Sequence, residues 1–237
     1  MSRTAPDEVT LIAHRGCADQ YPENTVAAVE RAAPHVDAVE IDVRRCASGG
    51  LVVVHDAELD RLTGASGPVA EAGLTDLGEL SVLGSGEPVP PLGEALAAVP
   101  DGAFVNVEIK EPETAIDALD ATRRAGVDAL FSSFHPEALA ALRDRDPGTD
   151  RALLVADGDA ERAVETAAEL GCTAVHPPID IATEPGYVET VQGAGLAVNA
   201  WTATDREEAE RLLAAGVDGI IADRWDLLPD AEPSSRS

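Results

Sequence analysis

Lysine is almost absent from this chain: of 17 basic residues, all but Lys110 are arginine, and 44 acidic residues oppose them. The resulting formal charge of -27 argues against nucleic acid as a partner, because affinity there comes from cations that neutralise phosphates. An anionic membrane surface is disfavoured for the same reason. The acids are dispersed along the chain, so they do not form an acidic interaction tail. Dispersed acidity with so little lysine is the pattern of adaptation to high salt, where screening removes the self-repulsion. Aromatic residues are scarce too, at 3%, so the 45% of hydrophobic residues are mainly Ala, Val, Leu and Ile. That mixture suits buried parallel strands under Ala-rich helices. The three cysteines, Cys17, Cys46 and Cys172, are widely spaced and odd in number, which gives neither a disulfide framework nor a zinc site. No apolar run nears the roughly 18 residues of a membrane span. The segment MSRTAPDEVT lacks the basic-then-apolar order of a signal peptide. The expectation is a soluble, cytoplasmic, single-domain protein without stable membrane insertion.

What the chain does contain is alternation. Strand-like runs are predicted at Val9–Ala13, Ala38–Val43, Phe104–Ile109, Ala129–Ser132, Arg151–Val155, Thr173–Val175, Leu196–Ala200 and Gly219–Ala222. Helical periodicity falls between them, at Thr25–Ala33, Thr114–Ala125, Pro136–Asp144, Ala160–Leu170, Tyr187–Ala194 and Arg206–Ala215. Glycines such as Gly126, Gly171 and Gly216 follow helices where a left-handed residue closes the last turn. Eight strands alternating with helices in 237 residues predict an α/β fold, a (β/α)8 TIM barrel. The alternation breaks once. Leu51–Val54 follows Ala38–Val43 so closely that only a hairpin through Ser48-Gly49-Gly50 can join them. A Gly/Pro/Ser-rich insertion with no sustained period then covers about 57–91, ending in a predicted helix at Leu92–Val99, and a frayed tail is expected from about 229.

Barrel active sites collect at the C-terminal ends of the strands. Glu40 and Asp42 lie two apart on one predicted strand and so share a face, while Val39, Ile41 and Val43 take the other. Glu108 and Lys110 repeat the arrangement on the next strand. Carboxylates forced together repel unless a cation separates them, and three of them form a hard-oxygen site suited to Mg²⁺ or Ca²⁺. The lone lysine in an arginine-using chain suggests a compact ammonium facing a phosphate or carboxylate. His14 and His55 each follow an apolar strand run and are candidates for general acid and general base. Arg15 beside Gly16 pairs a guanidinium with close backbone approach, as a phosphate site needs. Pro22-Glu23-Asn24-Thr25 reads as a helix start with Asn24 a candidate cap, and the sequence does not separate that from a Glu23 that reaches the site. Trp201 offers an apolar plane at the mouth, His135 and His176 follow short strands and are rim candidates with no assigned role, and His35 is assigned none.

Taken in order, His14-Arg15-Gly16, Pro22-Glu23-Asn24-Thr25, Glu40-Ile41-Asp42-Val43, Val54-His55-Asp56, Leu62-Thr63-Gly64, Val107-Glu108-Ile109-Lys110, Ala200-Trp201-Thr202 and Gly216-Val217-Asp218-Gly219-Ile220-Ile221-Ala222-Asp223 closely resemble the glycerophosphodiester phosphodiesterase family. The match spans roughly Leu11 to Asp223. The resemblance implies a barrel with a small insertion after its second strand and hydrolysis of a glycerophosphodiester to sn-glycerol 3-phosphate and an alcohol. It implies a divalent metal, Mg²⁺ or Ca²⁺, on Glu40, Asp42 and Glu108, catalysis by His14 and His55, and phosphate binding by Arg15 and Lys110. Departures are modest: Cys46 and Ala47-Ser48-Gly49-Gly50 replace a common Thr and Asp, and Trp225 stands where proline is frequent. Two rival readings stay open, a lysophospholipase D-like or other phosphodiesterase on the same barrel, and a non-catalytic metal-stabilised module. The order of the histidines, the identity of the nucleophile, the headgroup and the oligomeric state also stay open.

Overall fold

Each predicted strand forms in the computed structural model, which describes residues 9–156 and 160–228; the predicted tail lies outside the described residues. The strands are β1 (Thr10–Ala13), β2 (Ala38–Arg45), β3 (Leu51–Val53), β4 (Phe104–Ile109), β5 (Asp128–Ser133), β6 (Asp150–Leu154), β7 (Ala174–His176), β8 (Ala197–Ala203) and β9 (Gly219–Ala222). Eight of them are parallel neighbours in the order β1-β9-β8-β7-β6-β5-β4-β2, and a further β1–β2 pairing closes the ring. β3 is the hairpin partner of β2, antiparallel with Val43 opposite Val53 and Arg45 opposite Leu51. The helices are α1 (Val26–Ala32), α2 (Asp60–Thr63), α3 (Leu74–Glu79), α4 (Leu92–Ala97), α5 (Ala115–Ala125), α6 (Pro136–Arg145), α7 (Ala160–Glu169), α8 (Ile179–Ala182), α9 (Tyr187–Gly193) and α10 (Arg206–Ala215). Among the described residues no helix is long and apolar enough to cross a membrane.

The two-residue period of a strand divides each side chain between barrel interior and helix layer. Val39, Ile41, Val43, Val105, Val107 and Ile109 face outward into the main core with Leu96, Ala118 and Leu119 from the helices. Inward-facing Ile12, Ala38, Phe104 and Ile221 form one small interior cluster, and Leu130, Ala152 and Ala174 another. Moving along β2 and β4 toward their C-terminal ends, the inward positions change character. Ala38 gives way to Glu40 and Asp42, and Phe104 gives way to Asn106 and Glu108, all buried. An apolar floor therefore lies beneath a polar mouth.

The insertion is more ordered than its sequence suggests. It forms α2 and α3 around a core of its own, with Leu59, Leu62, Val69, Leu77, Val82 and Val89 buried against Cys46, Val52 and Val54 of the hairpin segment. Helices of four and six residues are too short for periodicity to reveal, and tertiary burial is what holds them. The one-turn α8 escapes the sequence pattern for the same reason. The cap of α1 also needs correction. Thr25, not Asn24, caps the helix, its side chain accepting from the Ala28 N–H.

All three cysteines are buried and unpaired. Burial pushes the Cys17 thiol up to about 12 and the Cys172 thiol up to about 11, and only the thiolate alkylates readily. In the native protein both should resist iodoacetamide at neutral pH and react once the chain unfolds. Peptide mapping by mass spectrometry checks this, and fast labelling of either in the native state would contradict the packing described.

Candidate active site

The site begins where β1 ends. His14–Gly16 form a tight turn in which Arg15 is left-handed at φ 50. Gly16 is required there: its φ is +77, and a Cβ would lie 2.7 Å from the Ala28 Cβ of α1. That close approach seats the turn on the helix. It also aims the Arg15 N–H at Glu40, whose Oε2 accepts it at 2.8 Å. Asn24 is a site residue that the sequence reading missed. It is left-handed at φ 59, a region Asn tolerates, and its amide donates to Asp42 Oδ2 at 2.7 Å while its Oδ1 accepts from the Asp42 N–H at 3.2 Å.

β2 and β4 pair with Asp42 opposite Glu108. Glu40, Asp42 and Glu108 bring one oxygen each to within 4.8 Å of one another, all buried. Two cations flank them. Lys110 Nζ lies 2.5 Å from Glu108 Oε1 and 3.2 Å from Asp42 Oδ1. Arg15 places Nη1 on Glu23 Oε1 at 2.8 Å and Nε 3.3 Å from Asp42 Oδ2. Burial opposes ionisation of Asp42, but Lys110 and Arg15 outweigh it and hold the carboxyl well below its usual range. Glu40 goes the other way. Burial first, then repulsion from Asp42, pushes it up to about 8. Glu108 is raised by burial and by Asp42 in the same sense. Glu40 Oε1 and Asp42 Oδ1 are buried and accept no hydrogen bond. Three converging buried carboxylates, two of them with an oxygen that accepts no hydrogen bond, fit a divalent cation of the Mg²⁺ or Ca²⁺ type.

Both sequence-predicted histidines reach this mouth, each held by a carboxylate. His14 Nδ1 is 2.6 Å from Asp223 Oδ1, and His55 Nδ1 is 2.7 Å from Asp56 Oδ1. An ionised carboxylate only accepts, so each Nδ1 carries the proton and each Nε2 is left to exchange one. Their environments differ. Burial disfavours charge on His14, but Asp223 and Glu40 overcome it and raise the pKa. On His55 burial prevails over Asp42 and Asp56, with Lys110 adding to it, and the pKa falls. Arg44 fixes the backbone beside His55, its Nε donating to the His55 carbonyl at 2.7 Å. Asp223 directly follows β9, so the strand-end criterion that found His14 could have found it as well.

The remaining candidates separate. The Trp201 indole N–H donates to the His176 carbonyl at 2.7 Å, and the ring meets Phe134 edge-on at 5.8 Å. Phe134 itself, just past the end of β5, is 38% exposed. His176 does not sit at a solvent-facing rim. It is fully buried, its Nε2 accepts from Asn199 Nδ2 at 3.1 Å, and desolvation lowers its pKa to about 3, leaving it neutral. His135 is exposed at the start of α6. His35 stacks on Trp225 at 4.1 Å, which gives that departure from the family pattern a packing partner.

The glycerophosphoryl diester phosphodiesterase family matches residues 14–227, from His14 of this turn onward. The chain belongs to that family. It is 32% identical to a glycerophosphodiester phosphodiesterase of Caldanaerobacter subterraneus subsp. tengcongensis, over 92% of this chain and 95% of that protein. Among solved structures it resembles an Oleispira antarctica phosphodiesterase in complex with the product sn-glycerol-3-phosphate. That likeness has a TM-score of 0.83 and 28% identity, covering 92% of this chain and 94% of that one. It is also similar to the Thermotoga maritima glycerophosphodiester phosphodiesterase, with a TM-score of 0.81 and 29% identity over 94% and 97% of the two chains. The protein is thus a glycerophosphodiester phosphodiesterase, a phosphoric diester hydrolase on a TIM barrel.

Proposed function

We propose that the enzyme hydrolyses glycerophosphodiesters to sn-glycerol 3-phosphate and an alcohol, with Glu40, Asp42 and Glu108 holding one divalent cation and His14 and His55 exchanging the protons. The observation that carries this reading is the placement of two carboxylate-anchored histidines beside three buried acids. Bound there, the cation would polarise a phosphoryl oxygen as a Lewis acid. Arg15 and Lys110 would turn toward the phosphate and stabilise charge that develops on it. The neutral tendency of His55 supports proton acceptance from the nucleophile, and the cationic tendency of His14 supports donation to the leaving alkoxide. Trp201 would bound the glycerol side of the mouth. The product carried by the Oleispira relative supports the same bond cleavage here.

A lysolipid substrate is the second reading, favoured by the exposed Phe134 against Trp201. Release of glycerol 3-phosphate from glycerophosphocholine and glycerophosphoethanolamine should be measured in high salt with Mg²⁺, with Ca²⁺ and with EDTA. Choline release from lysophosphatidylcholine is followed in parallel. Metal-dependent glycerol 3-phosphate release is the expected result. Choline release from the lysolipid alone would replace the proposed substrate.

A further inference from the structure

The insertion sends Arg61 to the mouth. Leu59 and Leu62, both buried in the insertion's own core, anchor α2, and Arg61 between them turns toward the barrel. Its guanidinium grips two carboxylates at once. Nη1 donates to Glu23 Oε2 at 2.7 Å and Nη2 to Glu23 Oε1 at 2.8 Å. Nε donates to Asp56 Oδ2 at 2.6 Å and Nη2 to Asp56 Oδ1 at 3.1 Å. Each of these acids has a second partner: Asp56 binds the His55 ring, and Glu23 binds the Arg15 guanidinium. The four N–H contacts therefore link the insertion to one residue of each proposed function, the proton carrier and the phosphate binder.

We infer that Arg61 is a positioning residue for the reaction, setting the ring of His55 through Asp56 and the guanidinium of Arg15 through Glu23. The inference rests on the function proposed above. Only a planar fork spans two carboxylates in this way, so lysine is a poor replacement. Groups that orient a reacting residue without touching substrate commonly matter 10- to 100-fold, because small misplacements are costly to rate.

The test compares Arg61→Ala, Arg61→Lys and Leu77→Ala, the last removing a fully buried side chain of the insertion core. Three quantities are read: kcat and KM on glycerophosphocholine, the thermal midpoint, and the tautomer of neutral His55 from two-bond ¹H–¹⁵N spectra. Arg61→Ala should lower kcat roughly 10- to 100-fold and shift His55 from the Nδ1–H tautomer toward a mixture. Arg61→Lys should restore little of either. Leu77→Ala should lower the midpoint but leave the tautomer unchanged. Unaltered kcat and tautomer in folded Arg61→Ala overturn the inference. So does an equal loss of kcat in Leu77→Ala and Arg61→Ala with His55 undisturbed in both, which reduces Arg61 to a fold-stabilising role. A wild-type protein without turnover defeats the functional proposal instead, while the tautomer still decides whether Arg61 positions His55.

Discussion

His55→Ala and His14→Ala should each lower kcat by about 10²–10⁴, the contribution of a positioned proton-transfer group, while both proteins remain folded. The expectation follows from how the rings are held. His55 lies at the open end of the hairpin with 35% of its side chain exposed, so truncation leaves no sealed cavity. His14 is more enclosed but points into the polar mouth, away from the apolar floor of the barrel. In both, Nδ1 is committed to a carboxylate, and the remaining nitrogen has no structural duty that would explain a loss of rate. Steady-state kinetics with circular dichroism on each variant decides the matter. Turnover within about tenfold of wild type in either folded variant, well short of the general acid–base range, would remove that histidine from the proposed pair.

Glu40→Gln should abolish cation-dependent turnover and, without a cation, reduce a pH-dependent loss of stability. Glu40 shifts from 4.5 to about 8 in the folded protein. Between those values the folded state keeps a proton that the unfolded state has released, so the stability of the fold falls as pH rises through this window. Glutamine at this position mimics the protonated acid, and the decline should shrink, leaving the smaller part that Glu108 and His14, also raised, contribute. A divalent cation should reduce it too in wild type, by favouring the ionised carboxylates. It should also raise the thermal midpoint, since a ligand at a hundred times its Kd adds about 2.7 kcal/mol. Thermal scans across pH, with Mg²⁺, with Ca²⁺ and with EDTA, test both statements. A midpoint that rises equally in wild type and Glu40→Gln places the cation elsewhere. A wild-type stability flat between the two pKa values removes the repulsion argument.

Asp223 shows where reading along the chain stopped. The residue sits in a string that was recognisable as a whole, yet nothing in its neighbours says that it meets His14, 209 positions away. Asn24 was visible as a capping type, but its actual partner is Asp42. Arg61 was invisible, because a lone arginine in a Gly/Pro/Ser-rich stretch has no periodic context. His176 shows the converse case. Its place after a short strand leaves a rim position open, and ring closure buries it instead, against Asn199.

The sequence by itself determined the barrel and the inward faces of β2 and β4, with Glu40 and Asp42 on one and Glu108 on the other. These follow from periodicities of two and about four residues that any stretch of chain carries locally. It also determined that His14 and His55 end strands, since a strand end is a local event. Only the tertiary structure decided which carboxylate holds which histidine, that Asn24 serves Asp42 and not a helix end, and that Arg61 bridges the insertion to the mouth. Those pairings depend on how the ring closes and how the insertion folds over it. Contacts between residues far apart in sequence leave no periodic trace in a single chain.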